Sequence, residues 1–339
     1  MNYKITVDPN NIKREYWNEF LFSNPNGNFF QSPDYYEWYN SLITQYKAVA
    51  VFALDSNDTI FGLLVAVIIK EKGLFAGKYS KRCIIFGGPV VTDNNPEIIS
   101  ALLERLIKEV KKESIYIEFR NLFDMTNYVY AFNDYGFKYV EHFNFIFDVG
   151  NDVEETMKKL NANRRRQIRK SIEAGVKIVE AESLDDVKQF YELLKILYNE
   201  KVKKPLPNFR FFENFYNSKS LGRYFIVKYN GKVVGGNMCP VFDKTIYELY
   251  RTGLDKEYKE IFPSVVATWA PIEYAIKNDL KRFDFLGAGS SETNGGVREF
   301  KSQFGGNLVS NGRFLRINSK FFYNLGKLGL KYYKRIKTI

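Results

Sequence analysis

The chain of 339 residues has two cysteines, Cys83 and Cys239, and one histidine, His142. Two cysteines build no disulfide framework, and no Cys/His spacing here fits a zinc site. One histidine leaves little room for Ser-His-Asp, Cys-His or histidine-metal chemistry. Proton transfer then falls to Asp, Glu, Lys, Tyr, water or the substrate. Both Cys239 and His142 sit in strand-like segments and read as structural. Long apolar runs are also missing. The longest, IFGLLVAVII from Ile60, is about half the ~20 residues a membrane-spanning helix needs and reads as a buried strand. The opening stretch MNYKITVDPNNIKREYW carries charge throughout and reads as neither signal peptide nor anchor. A reducing, cytoplasmic setting is expected. There is no GxxxxGK[ST] and no strand-linked GxGxxG, so nothing supports ATP or dinucleotide binding.

What is present is a globular composition, 45% hydrophobic and 26% charged, in a chain long enough for two domains. Lys and Arg number 50 against 39 Asp and Glu, a formal charge of +11. That surplus suits an anionic partner such as phosphate, nucleic acid or a lipid headgroup. Aromatics reach 17%. Clusters such as Phe29-Phe30 with Tyr35-Tyr36-Trp38, and Tyr247 with Tyr250, suit either core packing or a sugar or base pocket.

The order of elements repeats. VAVFAL from Val49 meets a polar turn and a run containing Gly62; YFIVK from Tyr224 meets Asn230-Gly231 and a run containing Gly235. Both read as hairpins. Pro96 opens a helix with apolar Ile98, Leu102, Leu106 and Val110, followed by the strand Ile115 to Phe119; Pro263 opens the same helix-then-strand series. YGFKYVEHFNFIFD from Tyr135 aligns with FGGNLVSNGRFLRI from Phe304, Gly136 over Gly305. These landmarks recur in one order about 170 residues apart, which indicates duplication. The fold class expected is a mixed α/β (α+β) sheet covered by helices, used twice. The boundaries expected are 1–150, 151–318 and a C-terminal helix over 319–339. Asp152 with Glu155 marks the start of the first helix of the second half.

Four segments carry candidate chemistry. LNANRRRQIRKSIEAGV clusters Arg164, Arg165, Arg166, Arg169 and Lys170 on about two helical turns, as an anion dock or a solvated basic face. KVKKPLPNF, with Lys203, reads as a rigid basic loop or an ordinary linker between the helices Leu184 to Tyr198 and Phe211 to Tyr216. FDFLGAGSSETNGGVREFKSQFGG runs from a strand ending near Asp284 through a glycine-rich loop into a short helix with Arg298, Glu299 and Lys301. Glycines let backbone amides approach an anion at such a strand end. Lys301 is the candidate for stabilising an oxyanion; Asp284, Glu292 or Glu299 for receiving a proton; Arg298 for binding substrate. Finally, the tail 320–339 spaces Phe321, Phe322, Leu325, Leu328, Tyr332 and Ile336 among lysines. It suits either packing on the core or contact with an anionic membrane surface.

Seven pieces in order, NFFQSPDYYEWY, RRRQIRKSIEAGV, KKPLPNFRFFENFY, NGKVVGGNM, PSVVATWAPIEYAI, FDFLGAG and REFKSQFGG, resemble the Fem family of peptidoglycan bridge-forming aminoacyltransferases and related FemAB-like acyltransferases. The resemblance covers nearly the whole chain. It implies two tandem GNAT-type domains and direct transfer of an acyl or aminoacyl group to an amine, without a covalent enzyme intermediate. It also implies that Lys301 stabilises the tetrahedral intermediate, and that basic and aromatic residues, among them Arg164, Arg169, Lys203 and Tyr250, receive the acceptor. The stretch before Pro263, RTGLDKEYKEIFPS, departs from the Arg/Gln-x-x-Gly-x-Gly/Ala pyrophosphate loop of acetyl-CoA-dependent GNAT enzymes. Only Asn199 to Arg210 stands where some members have a long coiled-coil arm, and Tyr35 and Tyr36 stand where members commonly have Trp.

The function expected is N-acyl transfer to an amine of a peptidoglycan or polysaccharide precursor. No cofactor is expected to be held tightly, and the donor is aminoacyl-tRNA or acyl-CoA. The partners expected are a nucleotide- or lipid-linked anionic glycan, tRNA, and peripheral membrane contact through 320–339. The rival readings are an acyl-CoA-dependent amino-sugar N-acetyltransferase and a non-catalytic RNA-binding protein using Arg164 to Lys170.

Overall fold

The structure, a computed structural model, describes residues 3–70, 81–290 and 295–336, the side chains of 330–336 excepted. The chain divides into two compact units, residues 1–141 with 311–339, and residues 142–310.

The first unit runs β1 (Lys4–Thr6), α1 (Arg14–Ser23), α2 (Pro33–Asn40), β2 (Tyr46–Leu54), β3 (Ile60–Lys70), β4 (Lys81–Phe86), β5 (Val90–Val91), α3 (Pro96–Val110), β6 (Tyr116–Arg120), α4 (Val129–Asp134) and β7 (Lys138–Val140). The second runs β8 (Asn144–Asp148), α5 (Val153–Lys159), α6 (Ala162–Glu173), β9 (Lys177–Glu180), α7 (Leu184–Leu197), α8 (Phe209–Asn217), β10 (Gly222–Tyr229), β11 (Lys232–Phe242), β12 (Thr245–Tyr247), β13 (Tyr250–Gly253), α9 (Pro263–Lys277), β14 (Arg282–Asp284), α10 (Gly296–Ser302) and β15 (Asn307–Val309). The chain then returns to the first unit with β16 (Arg313–Ile317) and α11 (Lys320–Ile336).

The two sheets correspond strand for strand. One has the order β1-β2-β3-β4-β6-β16-β7 with β5 on β3; the other β9-β10-β11-β12-β14-β8-β15 with β13 on β11. The matched glycines do matched work. A Cβ on Gly62 would meet Ile98 of α3 at 2.6 Å, and one on Gly235 would meet the Pro263 carbonyl of α9 at 3.2 Å. Each lets a helix close on its central strand. Gly136 and Gly305 both hold a left-handed backbone, φ +78° and +82°. In α3, Asn95 caps the Glu97 amide, Pro96 takes the first turn, and Ile98, Ile99, Leu102, Leu103, Leu106 and Val110 are buried against the first sheet. Helix α9 packs Val265, Trp269, Ala270 and Ile272 into the second core in the same way.

The boundaries differ from the expected 150 and 318 because the closing strands of the repeats are exchanged. Residues 142–150 carry β8, which lies between β14 and β15 in the second sheet; β16, placed in the second half by the sequence reading, lies between β6 and β7 in the first. The tail over 319–339 belongs with the first unit, where Tyr323 of α11 packs edge-on against Tyr116, centroids 5.5 Å apart. Its apolar stripe is not covered in this structure: Phe321 is 71% and Leu328 65% exposed. No helix among the described residues is long and apolar enough to cross a membrane.

Both sheets break where one strand leaves its neighbour, between β4 and β5 and between β12 and β13. In the first unit neutral amides close the break. Buried Gln31 accepts from the Val65 amide at 2.8 Å and donates to the Phe86 carbonyl at 2.6 Å, while Asn28 donates to the Gly87 carbonyl at 2.7 Å. In the second unit the same place holds charged groups.

Candidate active site of the second unit

The break between β12 and β13 falls at Glu248 and Leu249. The Glu248 amide still donates to the Asp284 carbonyl at 2.8 Å, the last link before β13 and the continuation of β14 part. Beyond Asp284 the chain turns through left-handed conformations at Leu286, φ +51°, and Gly287, φ +107°. Side chains hold the turn: Asp284 Oδ1 accepts from the Leu286 amide at 2.8 Å, and Asn144 Oδ1 from the Gly287 amide at 2.8 Å. Asn144 Nδ2 donates to Asp284 Oδ1 at 2.7 Å. The carbonyls of Phe285 and Gly287 thereby face one point.

Lys301 of α10 occupies that point. Its Nζ donates to the Phe285 carbonyl at 2.5 Å and the Gly287 carbonyl at 2.9 Å, and stands 3.5 Å from Glu248 Oε1. Only 6% of Lys301 is exposed. Burial pushes its pKa down, and Glu248 draws it back up. A 3.5 Å separation is longer than a good charge-assisted hydrogen bond, so the third N–H is the loosely held one. Glu248 is itself buried and shared: Arg251 Nε lies 3.4 Å away, Asn237 Nδ2 3.4 Å and Thr268 Oγ1 3.5 Å. Four elements, β11, β13, α9 and α10, meet on this carboxylate.

The remaining expected residues divide. Asp284 is buried beside this cluster, and desolvation raises its pKa; one of its oxygens is taken by the turn. Arg164 is turned inward, its guanidinium carbon 4.5 Å from the Phe300 ring centroid. Arg298 braces the glycine-rich loop, donating to the Ala288 carbonyl at 3.1 Å and to the Ser290 carbonyl. Glu299 points to solvent and lines an open cleft of about 460 Å³ with Phe145, Arg298, Ser302 and Leu308. Arg169 is on the exposed face of α6. Lys203 ends the π-helical turn Tyr198–Val202, and Tyr250 packs in an aromatic group with Tyr198, Phe211 and Phe212. Glu292 lies outside the described residues. Burial pushes both thiols up, Cys83 and Cys239 alike, so neither is a thiolate nucleophile.

The sequence reading missed Glu248, Arg251, Asn237, Thr268 and Asn144. Glu248 keeps the phase of the fully buried Ile246, but nothing local in the sequence marks the partners that meet it, Asn237, Thr268 and Lys301.

Residues 158–302 match a domain family described as "Acetyltransferase (GNAT) domain". No curated protein matches the chain significantly. Among solved structures, FemX has 17% identity and a TM-score of 0.72, covering 95% of this chain and 99% of that one. The L-PGS of Bacillus licheniformis has 14% identity and a TM-score of 0.57, over 95% and 97%. A tandem GNAT protein from the clavulanic acid biosynthesis pathway has 8% identity and a TM-score of 0.56, over 94% and 99%. The chain therefore has a duplicated GNAT fold, and most of its second unit matches the acetyltransferase (GNAT) domain family.

Proposed function

We propose that the protein transfers an aminoacyl or acyl group from an activated donor to an amine of a cell-envelope precursor, with Lys301 at the centre of the reaction. The observation that carries this reading is a buried ammonium held at the parting of β13 and β14 by two carbonyls and Glu248. The acceptor amine attacks the donor carbonyl carbon directly. The third N–H of Lys301 meets the oxyanion of the tetrahedral intermediate, and the departing oxygen or sulfur carries away the electron pair of the broken bond. A lowered pKa makes this ammonium a readier proton donor to that leaving atom, and the proton that the acceptor amine sheds on forming the amide returns to Lys301, directly or through water. Glu248 keeps it charged until then. No protein nucleophile is required, in keeping with one histidine and two buried thiols.

The geometry favours aminoacyl-tRNA over acyl-CoA as the donor. The N-terminal end of α9, which would have to receive a pyrophosphate, begins with Pro263, which has no N–H. The Ser264 amide is already taken by the Asp255 carboxylate at 2.8 Å. Native mass spectrometry at fixed moderate salt, with acetyl-CoA and a pool of charged tRNA, tests this. Stoichiometric tRNA binding that depends on charging is expected. Binding of CoA alone would overturn the donor assignment in favour of amino-sugar N-acylation. Binding of uncharged RNA with no product under any donor would leave only a nucleic-acid-binding role.

The amphipathic helix α11 supports peripheral contact with an anionic lipid surface, since Phe321, Leu325 and Leu328 are exposed alongside Lys320 and Lys327. Co-sedimentation with phosphatidylglycerol vesicles but not phosphatidylcholine vesicles is expected. Its loss in Phe321→Ser/Leu328→Ser is the confirming result, and equal binding to both vesicles would refute the contact.

A further inference from the structure

Arg164 is a guanidinium with only 8% of the residue exposed and no carboxylate within 4 Å among the described residues. Its Nη1 donates to Gln167 at 2.7 Å, and its buried Nε has no acceptor. Its guanidinium stacks on Phe300 instead, 4.5 Å from the ring centroid, and also lies 5.4 Å from that of Phe304. A second guanidinium, that of Arg251, lies 4.2 Å from the same Phe300 centroid. Its Nε leans toward Glu248 at 3.4 Å, and its Nη atoms meet no acceptor among the described residues. The charged groups around the pair are few. Glu248 is shared with Lys301, Asp255 accepts from the Ser264 amide, and Glu299 is exposed on α10. Two cations on one ring, poorly supplied with acceptors, is a costly arrangement for a folded protein to keep without an anion. Planar guanidinium forks fit tetrahedral and trigonal oxyanions in two-point fashion.

We infer that Arg164 and Arg251, stacked on Phe300, form a subsite for a phosphate group of a substrate, beside Lys301. The assignment rests on the acyl-transfer reading for what carries the phosphate. The site is built from α6, β13 and α10, so the substrate's phosphate is held at a fixed place relative to the Lys301 ammonium. The basic helix α6 thus divides by face. Arg164 turns in with Ile168 and Ser171, while Arg166 and Arg169 stay in solvent.

The test is isothermal titration of the full chain with inorganic pyrophosphate at constant ionic strength. Saturable binding is expected, weakened about tenfold or more by Arg164→Gln and by Arg251→Gln, and left within about twofold by Arg166→Gln, which removes the same charge from the exposed face. No saturable binding, or equal weakening by Arg166→Gln, overturns the subsite. Should Arg164→Gln fail to fold, the wild-type chain decides: the Nε–H resonances of Arg164 and Arg251 shift with added pyrophosphate, and unmoved resonances refute the site. Competition separates the sources. Displacement by an RNA ending in CCA assigns the phosphate to the donor, displacement by a nucleoside diphosphate to the acceptor, and displacement by neither overturns a substrate role. Failure of the underlying reading looks different. Pyrophosphate binding lost in Arg251→Gln with no transfer from any donor would sink acyl transfer and leave the subsite. Transfer unaffected by Arg251→Gln would sink the subsite alone.

Discussion

Replacing Lys301 by alanine is expected to lower turnover by roughly 10²–10³-fold, the usual effect of removing one oxyanion donor, while donor binding persists. The loss is expected in the chemical step because, in the proposed mechanism, Lys301 meets the reacting carbonyl and not the body of the donor. The variant also leaves Glu248 with Arg251 as its one ion-pair partner among the described residues and frees the Phe285 and Gly287 carbonyls, each at about 1–3 kcal/mol if left unsatisfied. A thermal melt beside the rate assay separates the two effects. Lys301→Arg, which keeps the charge, should restore stability before it restores turnover. The pH profile gives a second reading. Burial holds the Lys301 pKa below 10.5, so an ammonium-dependent rate declines on the alkaline side before pH 10.5 is reached. Turnover unchanged in Lys301→Ala would remove the residue from the mechanism.

The second large effect is in the first unit. Glu118 is partly buried between Arg120, Oε2 to Nη2 2.9 Å, and Arg313, Oε1 to Nη1 2.9 Å. Burial by itself would raise its pKa, but the two guanidiniums outweigh it and hold the carboxyl at about 2 against an ordinary 4.5. A depressed carboxylate contributes stability that is complete above its unfolded pKa and is lost as the pH falls through the folded value. Here that window runs from 4.5 down to about 2, and the linked term is on the order of 3 kcal/mol. Glu118→Gln leaves two guanidiniums side by side and should cost about 3–5 kcal/mol at neutral pH. Urea melts at pH 7 and pH 2.5 check both statements. The gap between wild type and variant should shrink in acid, and a gap that is constant with pH would refute the assignment.

Much of this architecture is legible in the sequence, because Pro96 and Pro263, Gly62 and Gly235, and Gly136 and Gly305 mark equivalent places in two copies of one pattern. The exchange of closing strands is not legible, for the same reason. NFIFD of β8 and RFLRI of β16 have similar alternation, so the pattern alone does not say which sheet each joins. At the site, Lys301 is visible through its glycine-rich surroundings, and Arg164 through its basic helix. Which of the charges on α6 turns inward is decided by the Phe300 and Phe304 rings, which are remote in sequence. Glu248 and Arg251 are hidden because the groups they meet, Asn237, Thr268, Lys301 and the Phe300 ring, come from other elements of the chain. The neutral Gln31 in the equivalent break of the first unit shows what this position holds when no charge is needed: an amide that completes the backbone's own hydrogen bonds.

The placement of β16 between β6 and β7 also sets an order of events during synthesis. The pairing of Glu118 with Arg313 spans 195 residues, so the first sheet cannot close when its own amino-terminal strands leave the ribosome. The second unit, continuous from 142 to 310, can complete itself while the earlier strands wait with the β6 edge open. The usual sequence, in which the amino-terminal domain folds first, is then expected to be inverted. A nascent chain stalled before Arg313 therefore presents a finished second unit and an unfinished first one, whose exposed edge needs protection from other chains.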